Sequence, residues 1–316
     1  MSEPAQPGQP PHTPVLYKPI IHALQPHSGG KYVDCTLGAG GHARGILEAS
    51  APDGRLLGLE IDPHALELAR ATLASFGERA ALVRASYTTL AAQLAAIRWQ
   101  AADGILLDLG ISSMQVDMAE RGFSFQADGP LDMRFDPEAP LRAEDLVNGL
   151  PEAELADLIW RYGEEQRSRQ VARAIVQARP LHTTAELARV VARATRSGRP
   201  GMHPATRTFQ ALRMAVNQEL EGLQAVLPQA VAALAPGGRL AVIAFHSLED
   251  RIVKQYLRQE SQDCLCPPRQ PVCTCGHKAS LRLVARQALQ ASAEEIEQNP
   301  RARSARLRVA EKLEVA

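Results

Sequence analysis

The strongest constraint on this chain is the regular exchange of two hydrophobic periods within its first hundred residues. Residues 31–36 form a short β-rich run ending in a glycine cluster, and residues 42–50 follow at helical spacing. Residues 55–61, 80–85 and 103–109 repeat the strand signature. Between them lie a helical pattern that opens on Pro63 and runs through Leu66, Ala69 and Leu73, and another over 88–97. Proline suits the first helical turn because its missing N–H would have no partner there. The run at 103–109 is apolar enough for the centre of a sheet. Parallel strands need crossover connections, so this alternation predicts a parallel sheet with helices on both faces.

From about Ser112 to Gln210 helical patterns continue, but no convincing strand is found. Alternation resumes with a helix over 220–234, closed by Pro236-Gly237-Gly238, and a strand over 239–245. Residues 281–285 and 305–311 look like a closing pair, the latter alternating Leu307 and Val309 with Arg306 and Arg308. The expected organisation is one α/β domain over 12–111 and 217–316, interrupted by a helical domain over 112–216. Residues 1–11, rich in Pro and Gln, read as a disordered tail without the apolar middle of a secretory signal. No stretch has the length of a membrane span. Five cysteines do not make a disulfide scaffold in 316 residues, which favours a reduced, cytoplasmic setting.

With 35 basic and 35 acidic residues the chain has no net pull toward nucleic acid, so any RNA contact must be local. Charge is segregated: residues 160–215 hold eleven Arg against three Glu, and 278–308 hold seven Lys or Arg against three Glu. Solvated helix faces would explain these stretches as well as phosphate contact does.

The loop Asp34-Cys-Thr-Leu-Gly38-Ala-Gly40-Gly41-His42 follows the first strand and opens a helix. Its glycines allow close backbone approach, and the helix start offers free N–H groups. Glu60 ends the second strand, where an acid can accept hydrogen bonds from ribose hydroxyls. Gly38, Gly40 and Ala43 nominally meet a dinucleotide pattern, so the loop alone leaves NAD and S-adenosylmethionine both open. Asp34 inside the first strand, Asp108 at the edge of the fourth and the Pro-Gly-Gly turn before the fifth favour S-adenosylmethionine. Cys264, Cys266, Cys273 and Cys275 form a paired C-x-C pattern near His277, readable as a four-thiolate metal site or as a plain surface loop. Cys35 reads as a small buried residue.

Longer motifs carry a family resemblance. They include His12-Thr-Pro-Val-Leu, Gly40-Gly-His42, Asp103-Gly-Ile-Leu-Leu-Asp-Leu-Gly-Ile-Ser-Ser113, Glu120-Arg-Gly-Phe-Ser-Phe125 and Asp128-Gly-Pro-Leu-Asp-Met-Arg134. Further along come His203-Pro-Ala-Thr-Arg-Thr-Phe-Gln-Ala-Leu-Arg213, Phe245-His-Ser-Leu-Glu-Asp-Arg251 and Asn299-Pro-Arg-Ala-Arg-Ser304. From His12 to Glu311 the chain resembles the bacterial ribosomal RNA small-subunit (cytosine-N4) methyltransferases, the RsmH or MraW family. The resemblance implies a Rossmann-like class I methyltransferase sheet with an inserted helical, substrate-recognising domain. It implies S-adenosylmethionine as cofactor, and N4-methylation of one decoding-region cytidine of 16S rRNA within the small subunit. Matched residue by residue, the family's cofactor positions fall on Gly40, Gly41, His42, Glu60, Tyr87, Asp108 and Gln115. The family often has Asp where this chain has Glu60, whose extra methylene still reaches a ribose. Tyr87 would then lie against the adenine ring, whereas its sequence context alone favours a core aromatic.

A cytosine amine is a poor nucleophile, so an acceptor that localises its lone pair is expected. Asp108 is the candidate catalytic residue, with Ser112 or Ser113 as other acceptors and His246 as the runner-up. Phe123, Phe125 and Phe135 are candidates for roofing the base pocket. Phe209 belongs to an apolar stripe with Leu212, Val216, Leu220 and Leu223, which reads as core. Arg167, Arg169, Arg173, Arg207 and Arg213 are candidates for phosphate contact. Two rival readings stay open from the residues: an NAD-dependent oxidoreductase, and an RNA-binding assembly factor that keeps S-adenosylmethionine as a structural ligand.

Overall fold

The computed structural model describes residues 14–195, 203–267, 270 and 272–314. The tail expected over 1–11 lies outside them, as do Arg196 and Arg199 of the basic stretch. Among the described residues, β1 (Lys31–Asp34), β2 (Arg55–Glu60), β3 (Ala80–Arg84), β4 (Ala102–Asp108), β5 (Leu234–Ala244), β6 (Leu281–Leu283) and β7 (Arg306–Lys312) join in one sheet. Its order is β3-β2-β1-β4-β5-β7-β6. The first five strands are parallel, while β7 runs antiparallel to both β5 and β6.

The helices before β4's end are α1 (Tyr17–Leu24), α2 (Gly41–Ala49), α3 (Pro63–Leu73) and α4 (Leu90–Ala96). Alternate residues of the central strands feed two separate cores. Val33, Ile105, Leu107, Leu240 and Val242 pack on one face, and Tyr32, Leu56, Leu106, Ala241 and Ile243 on the other. Ile105, Leu106 and Leu107 are all fully buried, so β4 is covered on both faces, as its apolar run predicts.

The chain forms two compact units, one running up to Gly110 and from Glu221 onward, the other spanning Ile111–Leu220. The second unit contains α5 (Ser113–Asp117), α6 (Ala143–Gly149), α7 (Glu152–Gly163), α8 (Ser168–Ala178), α9 (Thr184–Thr195) and α10 (Thr206–Asn217). Its core includes Leu155, Ile159, Val171, Ile175, Leu187, Val191 and Leu212. Among its described residues, the only β pairing is the isolated bridge Pro130–Thr183. The chain then returns through α11 (Glu219–Ala233), α12 (Ser247–Glu260) and α13 (Ala293–Gln298).

Three features differ from the sequence reading. The first is α1, which the sequence does not announce. Leu16, Ile20 and Leu24 form its buried stripe, and Pro19 stands in the first turn, where it costs no hydrogen bond. β5 starts at Leu234, which pairs with Ala102; Pro236-Gly237-Gly238 bulges out before pairing resumes at Arg239. Proline cannot donate to the ladder, and Gly237 takes a positive φ of 78°, so the turn interrupts the strand without ending it. The stripe expected over 209–223 is broken at Gln218, whose φ is 50°. Phe209, Leu212 and Val216 serve the second unit's core, and Leu223 serves the first unit's.

Candidate active site

Parallel register places three carboxylates on one face at the carboxyl edge of the sheet. Asp34 pairs with Gly58 and with Leu106, so Glu60 and Asp108, each two residues further on, share its side. The Asp108 backbone N–H donates to the Thr36 hydroxyl at 2.6 Å, which ties the end of β4 to the loop after β1. Thr36 is a positioning residue that the sequence reading missed, though its place two residues after Asp34 was the available signal.

Gly40 caps α2 with φ 85°, a conformation that disfavours residues with a Cβ. No side chain caps this end, so the first-turn N–H groups lack intrahelical partners. Gly41 is glycine for a different reason: a Cβ there would come within 2.5 Å of Pro14 Cγ. Its small size serves packing against the chain before α1. His42 is 5% exposed. Its Nε2 lies 3.5 Å from Asp108 Oδ2, and its ring stacks on Tyr17 at 6.2 Å. Neither ring nitrogen of His42 has a hydrogen-bond partner, and neither does Asp108 Oδ1. Buried polar atoms left this way cost about 1–3 kcal/mol each, and a polar ligand would relieve that cost.

Glu60 Oε2 accepts from Gly38 N–H at 2.8 Å, and Oε1 accepts from Ile61 and Asp62 N–H groups at 2.8 and 2.9 Å. Burial still pushes its carboxyl above the ordinary range. Asp34 is 1% exposed. Burial raises its pKa to about 7; His42 and the Thr36 N–H oppose the rise, and Asp108 and Glu60 add to it. Three crowded acids beside one histidine make a site suited to a cation.

Other expected residues fall as follows. Tyr87 is partly buried against the sheet core. A Cβ on Gly222 would lie 2.9 Å from its hydroxyl oxygen, so Tyr87 packs beside α11. His246 caps α12: its Nδ1 accepts the Glu249 N–H at 3.3 Å, and its Nε2 lies 3.0 Å from Glu249 Oε1 but out of line for a hydrogen bond. In the second unit, Gln115 is buried and forms a reciprocal capping box with Ser112 on α5. The Ser113 side chain lies outside the described residues.

The aromatic and arginine candidates are placed as follows. Phe123 is 8% exposed, stacks on Phe135 at 5.6 Å and belongs to the second unit's core, as does Phe209. Phe125 packs edge-on against Phe209 at 4.9 Å. These rings hold the helical unit together. Arg213 is largely covered and makes a two-bond pair with the buried Glu219. Arg207 donates to the Glu164 carbonyl and lies 3.8 Å from Glu165, and Arg167 donates to the Thr195 carbonyl. Arg169 and Arg173 are exposed, Arg173 with a solvent-facing contact of 3.4 Å to Glu152.

A cavity of about 470 Å³ opens in the first unit where β5 meets α12. Arg251, Lys254, Arg303 and Arg306 line it with Asp250. Asp250 is already held by Arg308 at 2.7 and 3.1 Å, which leaves the cavity cationic.

The antiparallel β7 between β5 and β6 departs from the dinucleotide-binding order 3-2-1-4-5-6. The acid-lined carboxyl edge of this seven-stranded α/β sheet is where such folds take their ligands. Residues 9–313 match the MraW methylase family. Three relatives, each called ribosomal RNA small subunit methyltransferase H, are similar over nearly their whole length. That of Dehalococcoides mccartyi is 53% identical, across 96% of this chain and 87% of its own. That of Thermomicrobium roseum is 52% identical, across 96% and 94%. That of Syntrophotalea carbinolica is 51% identical, across 96% and 98%. This chain belongs to the MraW methylase family. Its cofactor is S-adenosylmethionine, which removes the NAD reading. The residues present fit that cofactor: buried carboxylates suit its cationic groups, and the unpaired N–H groups at α2 suit its carboxylate.

Proposed function

We propose that the protein methylates N4 of one cytidine in the decoding region of bacterial 16S rRNA, acting on the small ribosomal subunit in the cytoplasm. The observation that carries the reading is the buried, unpartnered pair formed by His42 and Asp108 Oδ1 beside Asp34 and Glu60. The names of the relatives support the RNA class, and the resemblance supports the cytidine and its position.

S-adenosylmethionine, when bound, supplies an electrophilic methyl group on a sulfonium. Gly40, Gly41 and His42 at the start of α2, with Glu60 and Tyr87, hold the cofactor. Asp34 takes its ammonium group. Asp108 accepts a hydrogen bond from the target amine, localises the lone pair and holds the departing proton. Holding the reactants in line supplies much of the rate. A paired base would be flipped or unstacked to reach this edge. The helical unit, assigned as 112–216 from sequence, recognises the substrate. Arg169, Arg173 and the cationic cavity at Lys254 and Arg303 supply phosphate contacts that a neutral chain lacks overall.

The deciding experiment incubates the enzyme with labelled methyl donor and small subunits lacking the modification, then maps the labelled nucleotide. Label on a cytidine amine of the decoding region is expected. Label elsewhere, or binding without transfer in a single turnover, would overturn the assignment and favour the assembly-factor reading.

The Asp34 carboxyl gives a pH signature. Its folded value, about 7, lies above its ordinary 3.8, so the ligand-free site keeps a proton that the unfolded chain gives up. Stability from that proton declines as pH rises through this window. A cation that binds the ionised form expels the proton, so S-adenosylmethionine affinity should rise with pH up to about 7, by at most about tenfold per unit, and then level. Calorimetry in buffers of different ionisation enthalpy should detect proton release that Asp34→Asn abolishes. Buffer-independent heats would remove Asp34 from the ammonium contact.

Replacing Arg169 and Arg173 together by Ala should weaken RNA binding and reduce the log–log salt slope by about one for each phosphate no longer neutralised. Cofactor affinity should not change. An unaltered slope would leave the cationic cavity as the main phosphate surface.

A further inference from the structure

Between α12 and β6 the chain makes an excursion that holds four of its five cysteines. Their sulfurs converge. Cys264 Sγ lies 3.4 Å from Cys273 Sγ and 3.8 Å from Cys275 Sγ, Cys273 and Cys275 are 3.6 Å apart, and all four, with Cys266, fall within 4.8 Å of one another. A disulfide needs about 2.05 Å. Four thiolates around zinc, each about 2.3 Å from the ion, stand about 3.8 Å apart along the edges of a tetrahedron. The observed separations are those of a ligand shell.

Backbone groups support the same arrangement. Cys266 N–H points at Cys264 Sγ at 3.4 Å, Leu265 N–H at Cys275 Sγ at 3.3 Å, and Thr274 N–H at Cys266 Sγ at 3.4 Å. Such donors spread the negative charge that clustered thiolates accumulate, as partners behind metal ligands do. His277 stands apart: Nδ1 contacts the Gln262 carbonyl oxygen at 2.8 Å and Nε2 lies 3.8 Å from Glu260, which closes the base of the excursion. Cys264, Cys273 and Cys275 are exposed, as are Leu265 and Val272, so among its described residues no apolar core holds this segment.

We propose that Cys264, Cys266, Cys273 and Cys275 bind one zinc ion as a closed, structural four-thiolate site. Soft sulfur donors in a tetrahedron select zinc over the hard, oxygen-seeking cations. No ligand position is left for water, so the site does no chemistry of its own. Topology gives its place. α12 starts at the carboxyl end of β5, and Leu281 of β6 pairs with Lys312 at the far end of antiparallel β7. The excursion therefore lies at the amino edge of the parallel strands, opposite Asp34, Glu60 and Asp108. The ion fastens the link between α12 and the closing strands.

The full-length protein, purified without chelator, should carry about one zinc per chain by elemental analysis. The double variant Cys264→Ser, Cys273→Ser should carry less than about a tenth of that. Because that variant can fail to fold, the unmodified protein supplies a second measurement. After stripping with chelator it should take up Co²⁺ with sulfur-to-metal charge-transfer absorption that saturates at one equivalent and is displaced by Zn²⁺. Its affinity for S-adenosylmethionine should change less than twofold on stripping. A metal-free protein without cobalt–thiolate absorption would overturn the site, and so would a mapped disulfide among the four. A large loss of cofactor affinity on stripping would overturn its remoteness from the active site.

Discussion

Replacing Asp108 by Ala should lower methyl transfer by about 10²–10⁴-fold, the range spanned by loss of a positioned proton acceptor, while the protein stays folded. The fold is expected to survive because the bond that fixes this position belongs to the backbone: Asp108 N–H donates to Thr36, and alanine keeps that donor. The side chain is 24% exposed and contributes one unpartnered oxygen to the site. Single-turnover transfer to unmodified small subunits would measure the loss, and a thermal melt would check the fold. Asp108→Asn keeps an acceptor without the charge, so it should fall between Ala and the parent if the amine contact matters. Near-parent turnover in the Ala variant would remove Asp108 from the chemistry.

Replacing Arg213 by Ala should destabilise the helical unit by about 3–5 kcal/mol, because the buried Glu219 carboxylate then loses the guanidinium that balances its charge. Arg213 and Glu219 are 13% and 6% exposed, and their bonds are 2.7 and 2.8 Å long. Replacing both residues by apolar side chains of similar volume should recover most of that loss, since the desolvated charge then disappears with its mate. Denaturant titration of the three variants would measure both steps. A loss under about 1 kcal/mol in the single variant would mean that water reaches the pair. Unlike the Arg169 and Arg173 variant, Arg213→Ala should leave the salt slope of RNA binding unchanged wherever it is folded.

Much of the sheet was legible because its signals are local. The runs at 31–36, 55–61, 80–85 and 103–109 carry their own period, and Pro63 marks its own helix start. α1 was hidden by Pro14 and Pro19, which resemble loop punctuation although the spacing of Leu16, Ile20 and Leu24 is helical. The break at Gln218 has no glycine or proline to announce it. Arg213 looks available for phosphate in the sequence because Glu219 becomes its partner only once the chain turns back after α10. His246 suggests chemistry before it suggests a cap, since imidazole is an uncommon capping group, yet Glu249 three residues on carries the signature. The carboxyl-edge acids are visible singly. Their common face depends on strand register, which no single motif contains.

The pairing of β4 with β5 has a consequence for how this chain is made. Ala102 meets Leu234 after roughly 130 intervening residues, so one side of the sheet's most apolar strand stays without a neighbour while the whole helical unit is being synthesised. A bare apolar edge of that kind invites pairing with other chains. The helical unit has its own core and can close while this edge waits. Nascent chains halted between Asp108 and Leu234 should therefore bind chaperones and aggregate readily, and release should come only when β5 has cleared the exit tunnel.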